Sequence, residues 1–335
     1  MKNSSASASA ILLIAIFVLT SCNNSAKIKI GYLIPNTQLD RYKKEQAYFQ
    51  EKIVALGGEA LILSAEFDDK LQLKQADELI SQGVKVLVVN CVNQNTAAAI
   101  VRNAHEKNVK VVAYDRMISN CDLDYYLSFD NVEVGKQMAE YAVKLMPEGK
   151  YILLGGDKAD MNAILVKNGQ LAVLDPFIKS GKIKIIFNIF VEDWSGENAH
   201  HEIKKFLDLS GEIPDVILSS NDGMSTGTIE LLKQYKLDGK VIITGQDAEL
   251  TACQNIVHDK QTMSVYKPIR KLAFTAAELA MQLAKNEKIT NVVTSAPNGF
   301  KKVDAILLSP VVVDKNNLKT TVIADGLLKE SDLIN

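Results

Sequence analysis

The sequence is poor in the side chains that carry covalent and metal chemistry. It has four histidines in 335 residues, and His105, His200, His201 and His258 are scattered. Adjacent His200 and His201 cannot share one face of a helix, which disfavours a metal pair there. Of the four cysteines, Cys22 belongs to the N-terminal segment, leaving Cys91, Cys121 and Cys253. Three is odd, and their spacing suits neither a disulfide framework nor a zinc site. No Gly-x-Ser-x-Gly elbow, phosphate loop or Gly-x-Gly-x-x-Gly fingerprint is present. Net charge is also lacking: 38 Lys and Arg stand against 40 Asp and Glu, a formal charge of -2. That balance offers no electrostatic footprint for nucleic acid or an acidic membrane surface. These absences argue against an enzyme, a cofactor, a bound metal and a nucleic-acid partner. What is abundant is apolar character, 47% of residues. That is enough to bury a sizeable core, and the length suits two domains of ordinary size.

The first residues do not read as part of a fold. Lys2 precedes a Ser/Ala stretch, the apolar run ILLIAIFVL at 11–19, and then Thr20-Ser21-Cys22. A basic start, a short apolar centre and small residues mark an export signal. The run is shorter than the ~20 residues that a membrane-spanning helix needs. The ending Leu19-Thr20-Ser21-Cys22 resembles a bacterial lipoprotein box. That resemblance implies removal of residues 1–22 up to a lipid-bearing Cys22. It also implies a membrane-anchored protein in the periplasm or at the cell surface. Residues 23–27, NNSAK, are a short tether.

From residue 28 one rhythm runs through the chain. Apolar runs rich in Val and Ile, such as IKIGYLIP (28–35), VKVLVVNCV (84–92), VKVVAYD (109–115), YILLGG (151–156) and DVILSSND (215–222), alternate with longer polar-patterned segments. In LQLKQADELISQG (71–83), Leu71, Gln75, Leu79 and Ile80 recur at helical spacing and Gly83 closes the segment. Alternating strands and helices imply mostly parallel sheets covered on both faces, which is why the runs are continuously apolar. There are too many strands for one small sheet, and the rhythm restarts at Tyr151. The fold expected is therefore α/β, with two similar doubly wound parallel-sheet domains joined by three crossings that form a hinge. The crossings are expected near 132, 267 and 302. One lobe then takes 28–132 and 267–301, and the other takes 133–266 and 302–333.

In such sheets ligands sit outside the carboxyl ends of the strands. Here those ends carry side chains with several hydrogen-bonding atoms: Asp115-Arg116, Asp157 with Asp160 and Asn162, Asp193-Trp194, Asn221-Asp222, Gln246-Asp247, and Lys267. Arg41 and Tyr42 follow the first strand. Carboxylates accept, Arg and Lys donate, and Asn does both, which suits a neutral polyol. Trp194, the only tryptophan, and Tyr42 could cover the C–H faces of a sugar ring. Asp and Asn after a strand are also common helix caps, and Asp222 suits that role equally well.

The stretches AYDRMI, YLSFDN, SSNDG, GQDAEL and QTMSVYKPI, with KNNLKTTVIADGLLKES near the C-terminus, resemble bacterial D-xylose-binding proteins of the ribose/galactose-type solute-binding family. The likeness runs from about Lys27 to Leu333. It implies a type I periplasmic binding protein fold in a monomer that closes on D-xylose or a similar monosaccharide. It implies delivery to the permease and ATPase of an ABC importer, or alternatively signalling through a membrane kinase or chemoreceptor. Matched onto this chain, the family's sugar contacts are Arg41, Tyr42, Arg116, Asp160, Asn162, Trp194, Asn221, Asp247 and Lys267. The chain departs from the pattern at Tyr42, where the family has Trp, and at Met161, where it has Asn.

Overall fold

The structure, a computed structural model, describes residues 26–290 and 294–333. The expected export signal and the lipidation site at Cys22 lie outside the described residues. The chain makes three passes between two lobes. The first pass is β1 (Lys29–Ile34), α1 (Asp40–Ala55), β2 (Glu59–Ser64), α2 (Asp69–Ser81), β3 (Val86–Val89), α3 (Ala98–Glu106), β4 (Lys110–Tyr114) and β5 (Tyr125–Phe129). The second is α4 (Asn131–Leu145), β6 (Gly149–Gly155), α5 (Met161–Lys179), β7 (Ile183–Phe190), α6 (Gly196–Ser210), β8 (Val216–Ser219), α7 (Asp222–Gln234), β9 (Ile242–Ile243), α8 (Leu250–Val257) and β10 (Ser264–Tyr266). The third returns with α9 (Ile269–Ala284), β11 (Thr294–Pro297) and β12 (Lys302–Leu308) in the first lobe and ends with β13 (Val311–Val313) in the second.

The two sheets share one plan. The first runs β11-β12-β5-β4-β3-β1-β2 and the second β7-β6-β8-β9, with β10 joined beyond β9 by a parallel bridge between Gln246 and Val265. In each lobe the first strand lies between the second and third, so the strand order reverses beside it. The third pass then extends each sheet beyond its fifth position: β12 parallel to β5, with β11 outside it, in the first, and β13 antiparallel to β10 in the second.

The cores explain the unbroken apolar runs. Val86 and Val88 pack into one core of the first lobe, and Leu87 and Val89 into the other, on the opposite face of the same strand. The second lobe repeats this, with Ile152 and Leu154 on one face of β6 and Tyr151 and Leu153 on the other. Alternate residues of a strand face opposite sides, so a sheet covered twice needs apolar residues at every position.

One expected boundary moves. Residues 302–308 were expected in the second lobe, but β12 pairs with β5 in the first, from Asp304 opposite Tyr125 to Leu308 opposite Phe129. The third crossing therefore falls between Leu308 and Val311. The reason is packing: Val303, Ala305 and Ile306 complete the two cores of the first lobe. After β13 the chain wraps the second lobe, where Leu318, Val322 and Leu333 pack with Tyr266 and Ile256.

Candidate functional site

The carboxyl ends of the strands in the two sheets face each other across a cleft, and the nine residues singled out in the sequence all lie along it. Arg41 and Tyr42 open α1, Arg116 follows β4, and Asp160 and Asn162 begin α5. Trp194 follows β7, Asn221 follows β8, Asp247 follows β9, and Lys267 follows β10. Contacts tie them across the lobes. Arg41 Nη1 lies 3.6 Å from Asp247 Oδ1, and Lys267 Nζ lies 3.6 Å from the same oxygen. Arg116 Nε lies 3.4 Å from Asp160 Oδ2.

Arg41 is the centre of the cluster. Its Nε is 3.0 Å from Glu45 Oε1, one helical turn on, and its Nη2 is 3.1 Å from Asp115 Oδ2. With Asp247 on Nη1, each nitrogen of one guanidinium faces a different carboxylate, the fork geometry that makes arginine the usual partner of carboxylates. Glu45 is fully buried. Burial pushes its carboxyl up to about 7 against the opposing pull of Arg41. Asp115 is buried too, yet Arg41, Lys267 and Arg116 outweigh burial and hold it below the usual carboxylate range. Burial raises Asp160 instead, with Arg116 opposing. Around the cluster, Arg41, Arg116 and Lys267 face Glu45, Asp115, Asp160 and Asp247. With the Glu45 carboxyl raised by burial, three cations stand against three other carboxylates, and that near balance suits an uncharged ligand.

Tyr42 is 5% exposed, so it is not an ordinary surface residue of the first helix. Its phenol lies beside Arg116 and Arg41, and burial pushes it up to about 12. Trp194 lies on the second lobe, on a turn where Asp193 and Trp194 both take the left-handed conformation, at φ 57° and 55°. The turn is held by Asp157 Oδ2, which accepts from the Asp193 backbone N at 2.9 Å. Beneath the indole lies Gly156. A Cβ there would sit 2.2 Å from the ring, so glycine makes room for it.

Some of the nine also hold the fold. Asn221 caps α7, accepting from Met224 N at 2.8 Å, and its amide faces the Trp194 carbonyl at 3.4 Å. Asp160 caps α5 through Oδ1, which accepts from Asn162 N at 2.9 Å, and turns Oδ2 to Arg116. Asn162 accepts from Asn131 Nδ2 at 2.9 Å and donates to the Asp115 carbonyl at 3.2 Å, stapling the lobes near a crossing. Asp222 is fully buried and accepts from Gln261, Ser264 and the Glu249 backbone, so it is a structural hub.

The sequence reading passed over Glu45, Asn36 and Asn90, and it named Asp115 as a strand end without counting it among the nine. Asp115 and Glu45 grip Arg41. Asn36 and Asn90 lie at the ends of β1 and β3, both fully buried. Among the described residues, the Nδ2 of Asn36, both side-chain polar atoms of Asn90 and the Oδ1 of Asp115 are buried without a hydrogen-bond partner, and Asp247 Oδ1 has only the 3.6 Å ion pairs to Arg41 and Lys267. Buried polar atoms are nearly always paired in folded proteins, so such a set at one cleft marks a ligand or ordered-water position. Outward from it, a cavity of about 600 Å³ opens between the lobes. Its walls include Arg116, Asp160 and Trp194 together with Phe67, the 93–95 loop, Asp157 and Asp193.

Comparison with known proteins agrees with this architecture. The model of the periplasmic binding protein domain matches residues 30–288. The D-xylose-binding periplasmic protein of Haemophilus influenzae is 42% identical over 318 residues, covering 95% of this chain and 96% of its own. Its namesake in Escherichia coli is 40% identical over 92% of this chain and 94% of its own. Among solved structures, an ABC transporter solute binding protein from Clostridium phytofermentans with bound β-D-glucose superposes with a TM-score of 0.83. It is 26% identical, over 91% of this chain and 99% of that one. With two lobes of the same strand order, three crossings and a polar cleft at the facing strand ends, this chain belongs to the periplasmic binding protein family, whose members bind solutes and are not enzymes.

Proposed function

We propose that this protein captures D-xylose, or a closely related aldose, between its lobes and delivers it to an ABC importer. The observation that carries the reading is the cluster around Arg41. Cations and carboxylates from both lobes nearly balance, and buried polar atoms among them have no protein partner. A pentose offers hydroxyls that donate to Asp115, Asp247 and Asn90 and accept from Arg41, Arg116 and Lys267. Tyr42 and Trp194 cover its two faces. The 40–42% identity to proteins named for D-xylose binding favours that sugar over other aldoses. Residues from both lobes contact one ligand, so the ligand favours the closed arrangement by its differential affinity for it. Cys22 carries the lipid that keeps the protein beside its permease.

Titration calorimetry of the mature chain against D-xylose, ribose, arabinose, glucose and galactose tests this. One site per chain is expected, with D-xylose the tightest ligand. Folded protein that gives no heat with any aldose would overturn the reading.

A further inference from the structure

The cleft is larger than a pentose requires. A pentose has about ten heavy atoms, whereas clefts of ~300–1,000 Å³ hold drug-sized ligands. Here about 600 Å³ opens outward from Arg116, Asp160 and Trp194, and its walls include none of Arg41, Tyr42, Asn221, Asp247 or Lys267. The space thus begins at one side of the inner cluster and leads away from it.

Its walls have a consistent chemistry. Phe67 on the first lobe and Trp194 on the second both line it. Each ring is presented by two successive left-handed residues: Glu66 and Phe67 at φ 46° and 64°, Asp193 and Trp194 at φ 57° and 55°. Bulky L residues rarely adopt that conformation, and its recurrence at both walls of one cavity points to function. The first turn is fixed by the Phe67 N donating to the Pro35 carbonyl at 2.8 Å, and by Glu66 accepting from Ser64 and Thr37. Phe67 is nonetheless 52% exposed, an aromatic ring held out over the cavity. Gln94 and Asn95 line the same cavity and contribute amides. An exposed aromatic face with neutral amides suits a second pyranose: the Phe67 ring covers a C–H face, and the amides both donate to and accept from hydroxyls.

We propose that this outer cavity is a second saccharide subsite, so that the protein also takes xylose bearing a glycosidically linked sugar. The inference rests on the assignment of the inner cluster to a pentose. The linked unit leaves the inner site past Arg116, Asp160 and the edge of Trp194, and is held against Phe67 and the amides of Gln94 and Asn95.

The test is calorimetry of the mature chain with D-xylose and with β-1,4-xylobiose, whose two units allow either end to enter the inner site. Xylobiose is expected to bind one per chain. Phe67→Ala, at an exposed position, should weaken xylobiose tenfold or more and change xylose less than twofold, and Phe67→Trp should restore xylobiose binding. Xylose heat without xylobiose heat would refute the subsite. So would a Phe67→Ala variant that binds xylobiose unchanged or weakens both sugars equally. Silence from both sugars overturns the pentose assignment and this inference with it.

Discussion

Replacing Glu45 with glutamine tests how the centre of the cleft is held. Glu45 is fully buried, its Oε1 takes Arg41 Nε at 3.0 Å, and its Oε2 is buried without a partner. It also faces Asp115 and the phenols of Tyr32 and Tyr114. Burial raises its carboxyl from an ordinary 4.5 to about 7. Between those values the folded protein holds a proton that the unfolded chain has released. Stability therefore falls as pH rises through that window and levels off above 7. At about 1.4 kcal/mol per pH unit, the loss amounts to roughly 3 kcal/mol. A glutamine amide mimics the protonated acid: its oxygen still accepts from Arg41, and nothing titrates. Urea denaturation of both proteins at pH 5 and pH 8 supplies the comparison. Glu45→Gln should gain on wild type by about 3 kcal/mol between the two. A difference constant to within about 0.5 kcal/mol would refute the burial argument; Glu249, which burial also raises to about 7, is present in both proteins and drops out of the comparison.

Three further outcomes follow from the geometry. Tyr42→Ala should weaken xylose by about 1–3 kcal/mol, roughly 5- to 150-fold, by removing one ring wall; calorimetry that finds affinity unchanged would return Tyr42 to a purely structural role. Gly156→Ala places a methyl 2.2 Å from the indole, so it should shift the emission of the lone tryptophan and raise the Kd for xylose at least tenfold; unchanged emission and affinity would mean that Trp194 is no wall of the site. Cys22→Ala should release the protein from the membrane fraction with sugar affinity intact, whereas wild type found soluble and without lipid by mass spectrometry would refute the anchor.

How much of this was legible in the sequence depends on whether the signal was local. Continuous apolar runs reveal doubly covered strands because each position of such a strand must be apolar. Strand ends reveal the cleft because polar residues there interrupt the run. Which sheet a strand joins is a different matter. Lys302–Leu308 reads as a strand, but only packing against both cores of the first lobe decides that it pairs with β5. Glu45 escaped because an Arg–Glu pair four residues apart on a helix usually reads as a solvated pair. Asn90 escaped because it sits inside the apolar run VLVVNCV, where a small polar residue looks incidental. The left-handed turns at Phe67 and Trp194 leave no trace, since no glycine marks either position.

The orphaned polar atoms link specificity to motion. Closure without a ligand would bury Asn90, the Asn36 amide and one oxygen of Asp115 with water as their only recourse, and would leave Asp247 Oδ1 only its long ion pairs to Arg41 and Lys267. Each such group, if left unmet, costs about 1–3 kcal/mol. A pentose carries hydroxyls that can satisfy several of them at once, and bound as proposed it bridges the Arg41 side of the cleft to the Asp247 side. A ligand lacking one hydroxyl leaves its partner unpaired in a dry site, so the penalty for a wrong sugar and the drive to stay closed come from the same atoms. Arg41 is fixed by Glu45 and Asp115 within its own lobe, whereas Asp247 belongs to the other. In the closure proposed above, the guanidinium is thus already set in place and the second lobe brings a carboxylate to it. Little ordering is left for the sugar to offset, which is how a small ligand can hold two domains together.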